Sequence, residues 1–164
     1  MTEFDQTIAV IGGTGDLGSA LTMRWSNAGY RIIIGSRDKD KAQAAASKIN
    51  QSLGKDFVRG MTNLEAARSA EIIVLTVPFT NHQAIVEEIS QAAQGKIVVD
   101  TTVPLVPPKI SRVQLPEFGS IAKRTQEILG NNVKVVSAFQ TVACLLYTSP
   151  SPRDQRGSRM PSSA

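Results

Sequence analysis

A five-residue apolar run, Thr7-Ile-Ala-Val-Ile11, passes directly into Gly12-Gly-Thr-Gly-Asp-Leu-Gly18, and this junction restricts the possible folds more than any other stretch. A short apolar run closed by glycines reads as a buried strand. Residues 16–28 then place Leu17, Ala20, Leu21, Arg24 and Trp25 at helical spacing, and Gly29 supplies the C-terminal stop. The spacing Gly13-x-Gly15-x-x-Gly18 therefore lies between a strand and a helix. Small residues in turns produce the bare pattern often, but in this setting it is a loop whose amides can approach a diphosphate. Gly13 is expected to allow the tight turn, Gly15 (with Thr14 beside it) to admit the pyrophosphate, and Gly18 to bring helix and strand together. The anion then sits at the positive end of the helix dipole. Asp16 reads as a dipole-favoured cap rather than a catalyst.

The rest of the chain repeats the alternation. Arg31-Ile-Ile-Ile-Gly35 reads as a second strand, and Lys39 to Leu53, with Ala42, Ala45, Ala46 and Ile49 on one face, as a helix closed by Gly54. Phe57-Val58 makes a short third strand. Thr62 caps a short helix over Asn63 to Ser69, supported by Glu65 three residues on. Glu71 to Val77 is a fourth strand ended by Pro78, Asn81 to Ala93 a helix, Lys96 to Asp100 a fifth strand, Gly119 to Leu129 a helix, and Val133 to Phe139 a sixth strand. Pro104, Pro107, Pro108 and Pro116 mark an irregular loop between the last two strands. Near-continuous apolar strands alternating with helices predict a doubly wound, mostly parallel Rossmann-type α/β sheet with helices on both faces.

The end of the second strand selects the ligand. A site for a dinucleotide with a free 2′-hydroxyl places a carboxylate there, and that charge repels a 2′-phosphate. Gly35-Ser36-Arg37 offers a hydroxyl and a guanidinium instead, which suit a phosphate dianion. Lys41, about one turn further, adds a second positive charge, and Asp38 is expected to cap the second helix. The expected cofactor is NADP(H). Thr76, Val77, Pro78 and Phe79 follow the fourth strand on the edge where cofactors lie, and Asp100 to Pro104 follow the fifth.

Composition excludes several classes. The net charge of +4 is half accounted for by the last 21 residues, and no basic stripe with interleaved aromatics exists, so nucleic-acid binding is not expected. No apolar run reaches the roughly 18 residues of a membrane span. The acidic start lacks the basic and apolar regions of a secretory signal, which makes the cytoplasm the expected compartment. His82, the lone histidine, reads as a solvated or capping residue at a helix start. No Ser-His-Asp set, paired-carboxylate site or metal-ligand cluster is visible, so neither a catalytic side chain nor a metal is expected. Bound cofactors would then carry the chemistry.

At Cys144 the pattern stops. Cys144 to Asp154 and Ser158 to Ala164 resemble two parts of a translated sequencing adapter, separated by Gln155-Arg-Gly157. The expected organisation is therefore an NADP-binding domain over residues 1–143 and a non-native, disordered tail over 144–164, with the natural protein continuing past Ala143.

Ile8 to Gly18, Ile34-Gly-Ser-Arg37, Val74-Leu-Thr-Val-Pro78, Val103-Pro-Leu-Val-Pro107 and Val135 to Thr141 resemble the family of NADP reductases that depend on the deazaflavin coenzyme F-420 (F420). The resemblance spans residues 7–143. It implies reversible hydride transfer between NADPH and F420, with Thr14 to Leu17, Ser36, Arg37 and Lys41 holding NADP. It further implies that the Val77 and Leu105 regions contact the nicotinamide half, and that Ala138 to Ala143 lie near the deazaflavin. Family members continue into a C-terminal helical part that helps build the deazaflavin pocket and a homodimer. Two other readings remain open on the residues alone. One is the cofactor domain of a pyrroline-carboxylate reductase-like or hydroxyacid dehydrogenase-like enzyme. The other is a non-catalytic NADP(H)-binding module or a ferric reductase-like one.

Overall fold

The computed structural model of the protein describes residues 5–105 and 117–140. Six strands, β1 (Thr7–Ile11), β2 (Arg31–Ser36), β3 (Val58–Thr62), β4 (Ile72–Leu75), β5 (Ile97–Asp100) and β6 (Lys134–Ser137), alternate with five helices. These are α1 (Asp16–Ala28), α2 (Lys39–Leu53), α3 (Asn63–Arg68), α4 (Phe79–Ile89) and α5 (Ile121–Leu129). The strands form one sheet in the order β3-β2-β1-β4-β5-β6, and every pairing is parallel. The doubly wound expectation holds, and the described sheet is parallel throughout. Pro107, Pro108 and Pro116, the boundary at Ala143 and the adapter-like residues lie outside the described residues.

Strand periodicity divides the core into two layers. Ile8, Val10, Ile32, Ile34 and Val74 point to the face covered by α1 and α2, where Leu21, Ala42, Ala46 and Ile49 meet them. Ala9, Ile11, Ile33, Ile73, Leu75 and Val98 point to the opposite face, against Ala66, Ala67, Ile85, Val86, Ile89 and Leu129 of α3, α4 and α5. Each large aliphatic side chain buried this way stabilises the fold by about 1.5–3 kcal/mol over an exposed one. Local signals agree with the layers. Asp38 Oδ1 accepts from the N–H groups of Asp40 and Lys41, and Thr62 with Glu65 forms a complete capping box.

β2, α3, β5 and α5 shift by one or two residues at one end, α5 beginning at Ile121 rather than Gly119, and four elements differ further. β3 starts at Val58 and runs through Arg59 and Gly60 to Thr62, rather than ending with Phe57-Val58. Arg59 and Gly60 hide the pattern, yet Gly60 is a close-packing position: a Cβ there would collide with the Ala42 carbonyl carbon in α2. β4 stops at Leu75, because Thr76 turns inward and bonds Ile11 O through both its N–H and its Oγ1. α4 begins at Phe79, two residues early, with Pro78 (φ −59°) as its N-cap, and ends at Ile89 rather than Ala93. β6 is shorter than expected and is an edge strand with Val136 45% exposed, so it is not buried as a central parallel strand would be.

Candidate functional site

The order β3-β2-β1-β4-β5-β6 reverses direction between β1 and β4, which opens a crevice at the carboxyl ends of the strands. An open cleft of about 550 Å³ lies there. Of the residues expected at the site, Thr14, Gly15, Asp16, Leu17, Ser36, Arg37, Thr76, Val77, Pro78 and Leu105 line it, together with Phe79 and Thr101 to Val103. Gly13 and Gly18 are buried behind it. Lys41 and Ala138 are outside its wall. The Lys41 ammonium is 3.7 Å from the Asp38 carboxylate, and Ala138 N–H donates to Asp100 O at 3.2 Å.

The glycines of the loop divide by role. The left-handed turn is at Gly12 (φ 79°), not at Gly13 as the spacing suggested. Gly13 is instead a packing glycine, since a Cβ there would lie 2.8 Å from Val10 O. A Cβ on Gly18 would meet Gly13 Cα at 2.6 Å and Thr76 Oγ1 at 2.7 Å, so α1 approaches the β1–β4 seam only without a side chain. Gly15 is different. Its φ of −82° suits any residue, and a Cβ would meet nothing closer than Gly12 O at 3.5 Å. Neither conformation nor packing demands glycine at 15, and the space it leaves belongs to the cleft.

The helix ends point the same way. α2, α3 and α5 have side-chain caps from Asp38, Thr62 and Ser120, whereas α1 and α4, whose first turns line the cleft, have none. The leading amides of α1 have no acceptor within the helix, so an anion can take them. Asp16 is the first residue of α1, the acidic first-turn position that the dipole favours, while the N-cap itself is Gly15, which has no side chain to cap with. Among the described residues Arg37 has no ion-pair partner and is exposed at the end of β2. No three metal-ligating side chains cluster among the described residues. No helix among them is long and apolar enough to cross a membrane.

His82 overturns its reading as a solvated or capping residue. It is 3% exposed, and its Nε2 lies 2.8 Å from Asp100 Oδ2. An ionised carboxylate only accepts, so Nε2 carries the proton. Thr125 Oγ1 donates to the same Oδ2 at 2.6 Å, and Thr102 N–H donates to Oδ1 at 2.9 Å. Burial alone would push the Asp100 carboxyl up. The hydrogen bonds from His82 and Thr125, with the His82 attraction and the Thr102 N–H, reverse that and hold it below its ordinary value. This network ties α4 and α5 to the end of β5 and holds the residues that begin the cleft's far wall. Helical spacing gives no sign of it, because His82 and Thr125 are 18 and 25 residues from Asp100.

Gly12, Asn63, Asn81 and Ile85 also line the cleft and were not expected. Reading β3 as two residues hid that Asn63 sits at a strand's carboxyl end; Asn81 was expected to open α4 and does lie in its first turn, but the helix begins at Phe79.

Comparison with known proteins agrees with this geometry. Residues 7–104 match the family described as NADP oxidoreductase, coenzyme F420-dependent. The chain belongs to that family. An F420-dependent NADP reductase from Methanothermobacter thermautotrophicus is 40% identical over 143 residues, covering 83% of this chain and 61% of the relative. One from Methanocaldococcus jannaschii is 37% identical, covering 82% and 63%. The chain thus spans less than two thirds of these F420-dependent reductases. A solved structure from Arthrobacter sp. FB24, described as a candidate member of the same family, superposes with a TM-score of 0.72 at 26% identity, covering 86% of this chain and 65% of that one. Pyrroline-5-carboxylate reductase from Coxiella burnetii shares the fold at 20% identity, with a TM-score of 0.56.

Proposed function

We propose that this chain is the NADP(H)-holding part of an enzyme that transfers hydride between NADPH and F420. The observation that carries the reading is the corner at the end of β2, where Ser36 and Arg37 face the cleft and, among the described residues, Arg37 has no ion-pair partner and no carboxylate occupies the place. The residues fit the cofactor on two counts: Gly15 keeps open a space that the protein does not fill, and the uncapped first turn of α1 offers its amides.

In this reading the main chain at Gly13 to Gly18 holds the diphosphate, with Thr14 to Leu17 against it. Ser36 Oγ and the Arg37 guanidinium hold the 2′-phosphate, and Lys41 swings from Asp38 to add charge. Thr76, Val77, Pro78 and Leu105 wall the nicotinamide half, and Ala138 begins the segment beside F420. The bound rings supply the hydride chemistry themselves, so the chain contributes position rather than an acid or base. Its partners are small-molecule cofactors and, at full length, a second copy in a homodimer; its compartment is the cytoplasm. Residues 1–143 form the cofactor-binding unit, and 144–164 add nothing to it.

Two measurements test this. NADPH is expected to bind at least about tenfold tighter than NADH by fluorescence titration, and Arg37→Ala to erase most of that preference. Equal dissociation constants in the parent chain overturn the phosphate assignment. Anaerobic mixing of NADPH and oxidised F420 with a polypeptide of the relatives' length is expected to bleach the deazaflavin's visible absorbance. Intact NADPH binding without bleaching removes F420 from the reading.

A further inference from the structure

Asn63 is a polar side chain of the cleft that neither the fold nor the phosphate corner explains. It is 2% exposed, it lines the cleft, and its Oδ1 has no hydrogen-bond partner. A buried polar atom is normally paired, and an exception in a binding cleft points to a ligand that completes it. Its neighbours are accounted for: Thr62 and Glu65 bond each other, and Glu65 also pairs with Lys39 at 3.2 Å.

The strand register places Asn63 against the corner. Ser36 of β2 pairs with Thr62 of β3, so Asn63 is the next residue beyond that pair. Gly35 carries no side chain, and a Cβ there would stand 3.2 Å from Asn63 Oδ1. The amide therefore lies against the end of the strand that presents Ser36 and Arg37.

We propose that Asn63 is a specificity-determining residue that hydrogen-bonds the 2′-phosphorylated ribose of the cofactor, an inference that rests on the NADP(H) reading above. A carboxamide has the two kinds of group this ligand needs. Its NH₂ donates to phosphate oxygens, and its Oδ1 accepts from a ribose hydroxyl. Aspartate has nearly the same shape but loses the donor and carries a charge that repels a phosphate dianion, while still accepting from an unphosphorylated ribose. Position 63 thus works with Ser36 and Arg37 from the neighbouring strand.

The test is titration of NADPH and NADH into the parent chain, Asn63→Asp and Asn63→Ser, with thermal midpoints as the folding control. The ratio of NADPH to NADH affinity is expected to fall at least about tenfold in Asn63→Asp and severalfold in Asn63→Ser, with NADH binding nearly unchanged. A purely structural asparagine would weaken both cofactors alike and leave the ratio alone. Ratios within about twofold of the parent in whichever variants fold overturn the role of Asn63 and leave the cofactor reading standing. A parent chain with no preference for NADPH overturns both.

Discussion

The two sides of the cleft treat their polar groups in opposite ways. On the β1–β2 side, α1 has no cap, Arg37 has no ion-pair partner among the described residues, and Asn63 Oδ1 has no hydrogen bond. On the β4–β5 side, α4 is likewise uncapped and Thr102 Oγ1 has no partner, but most of the polar groups satisfy one another. Thr76 bonds Ile11 O, Thr101 Oγ1 bonds Leu75 O at 2.8 Å, and His82, Thr125 and Thr102 converge on Asp100. The contrast teaches that the side proposed to take the anion keeps polar groups unsatisfied, while the other is largely a cross-linked wall. Pre-organisation of this kind lowers the ordering cost of binding on the wall side and supplies the ligand's partners on the other.

The largest test of the contrast is Asp100→Ala. Removing the acceptor of three donors leaves His82 and Thr125 buried without it, and breaking such a pair costs about 3–5 kcal/mol. Denaturant unfolding is expected to show a loss of that size; a loss under 1 kcal/mol means the wall is not held by this network. The same group gives a pH dependence. The folded carboxyl titrates below its ordinary value, so its contribution is complete above the unfolded value of about 3.9 and fades as pH falls through the lower folded one. The stability gap between the parent and Asp100→Asn should therefore be level from pH 7 to about 5 and narrow only below about 4. A gap that narrows near neutrality would assign the effect elsewhere.

Two glycines sharpen the division within the loop. Gly18→Ala drives a Cβ into the backbone of Gly13 and the side chain of Thr76, and should cost about 1–3 kcal/mol of stability. Gly15→Ser makes only an ordinary contact with Gly12 O at 3.5 Å and adds a good N-cap, so stability should stay within about 0.5 kcal/mol or rise. NADPH affinity in that variant should nevertheless fall about tenfold or more, because the serine occupies the ligand's space. Unchanged binding would return Gly15 to the fold. The smallest effect is expected at Lys41→Ala: its ammonium is exposed and 3.7 Å from Asp38, so NADPH affinity should drop only about two- to threefold, and less at high salt. A tenfold drop would make Lys41 an equal partner of Arg37.

Local signals carried much of this protein. The apolar runs with glycine stops, the Asp38 cap and the Thr62–Glu65 capping box depend on residues within one turn of each other, and each formed where the residues placed it. The position of Ser36 and Arg37 in the cleft wall was legible for the same reason, since they stand at the end of β2. Failures came where distant segments meet. β3 was cut short because Gly60 looks like a break until α2 lies against it, and that error concealed Asn63. The left-handed turn is at Gly12, where a side chain would also strike Thr76 and Val77, an approach that the glycine spacing does not reveal.

The order of residues alone determined an alternating, parallel, dinucleotide-type sheet and the sign of charge at the end of its second strand, because periodicity, stops and adjacent side chains act over a few residues. Only the folded arrangement decided that His82 is buried on Asp100, that Gly15 is free of the packing that fixes Gly12, Gly13 and Gly18, and that Asn63 lies against the end of β2. Those facts depend on contacts between segments that are far apart along the chain, and proximity of that kind exists only once the sheet has assembled.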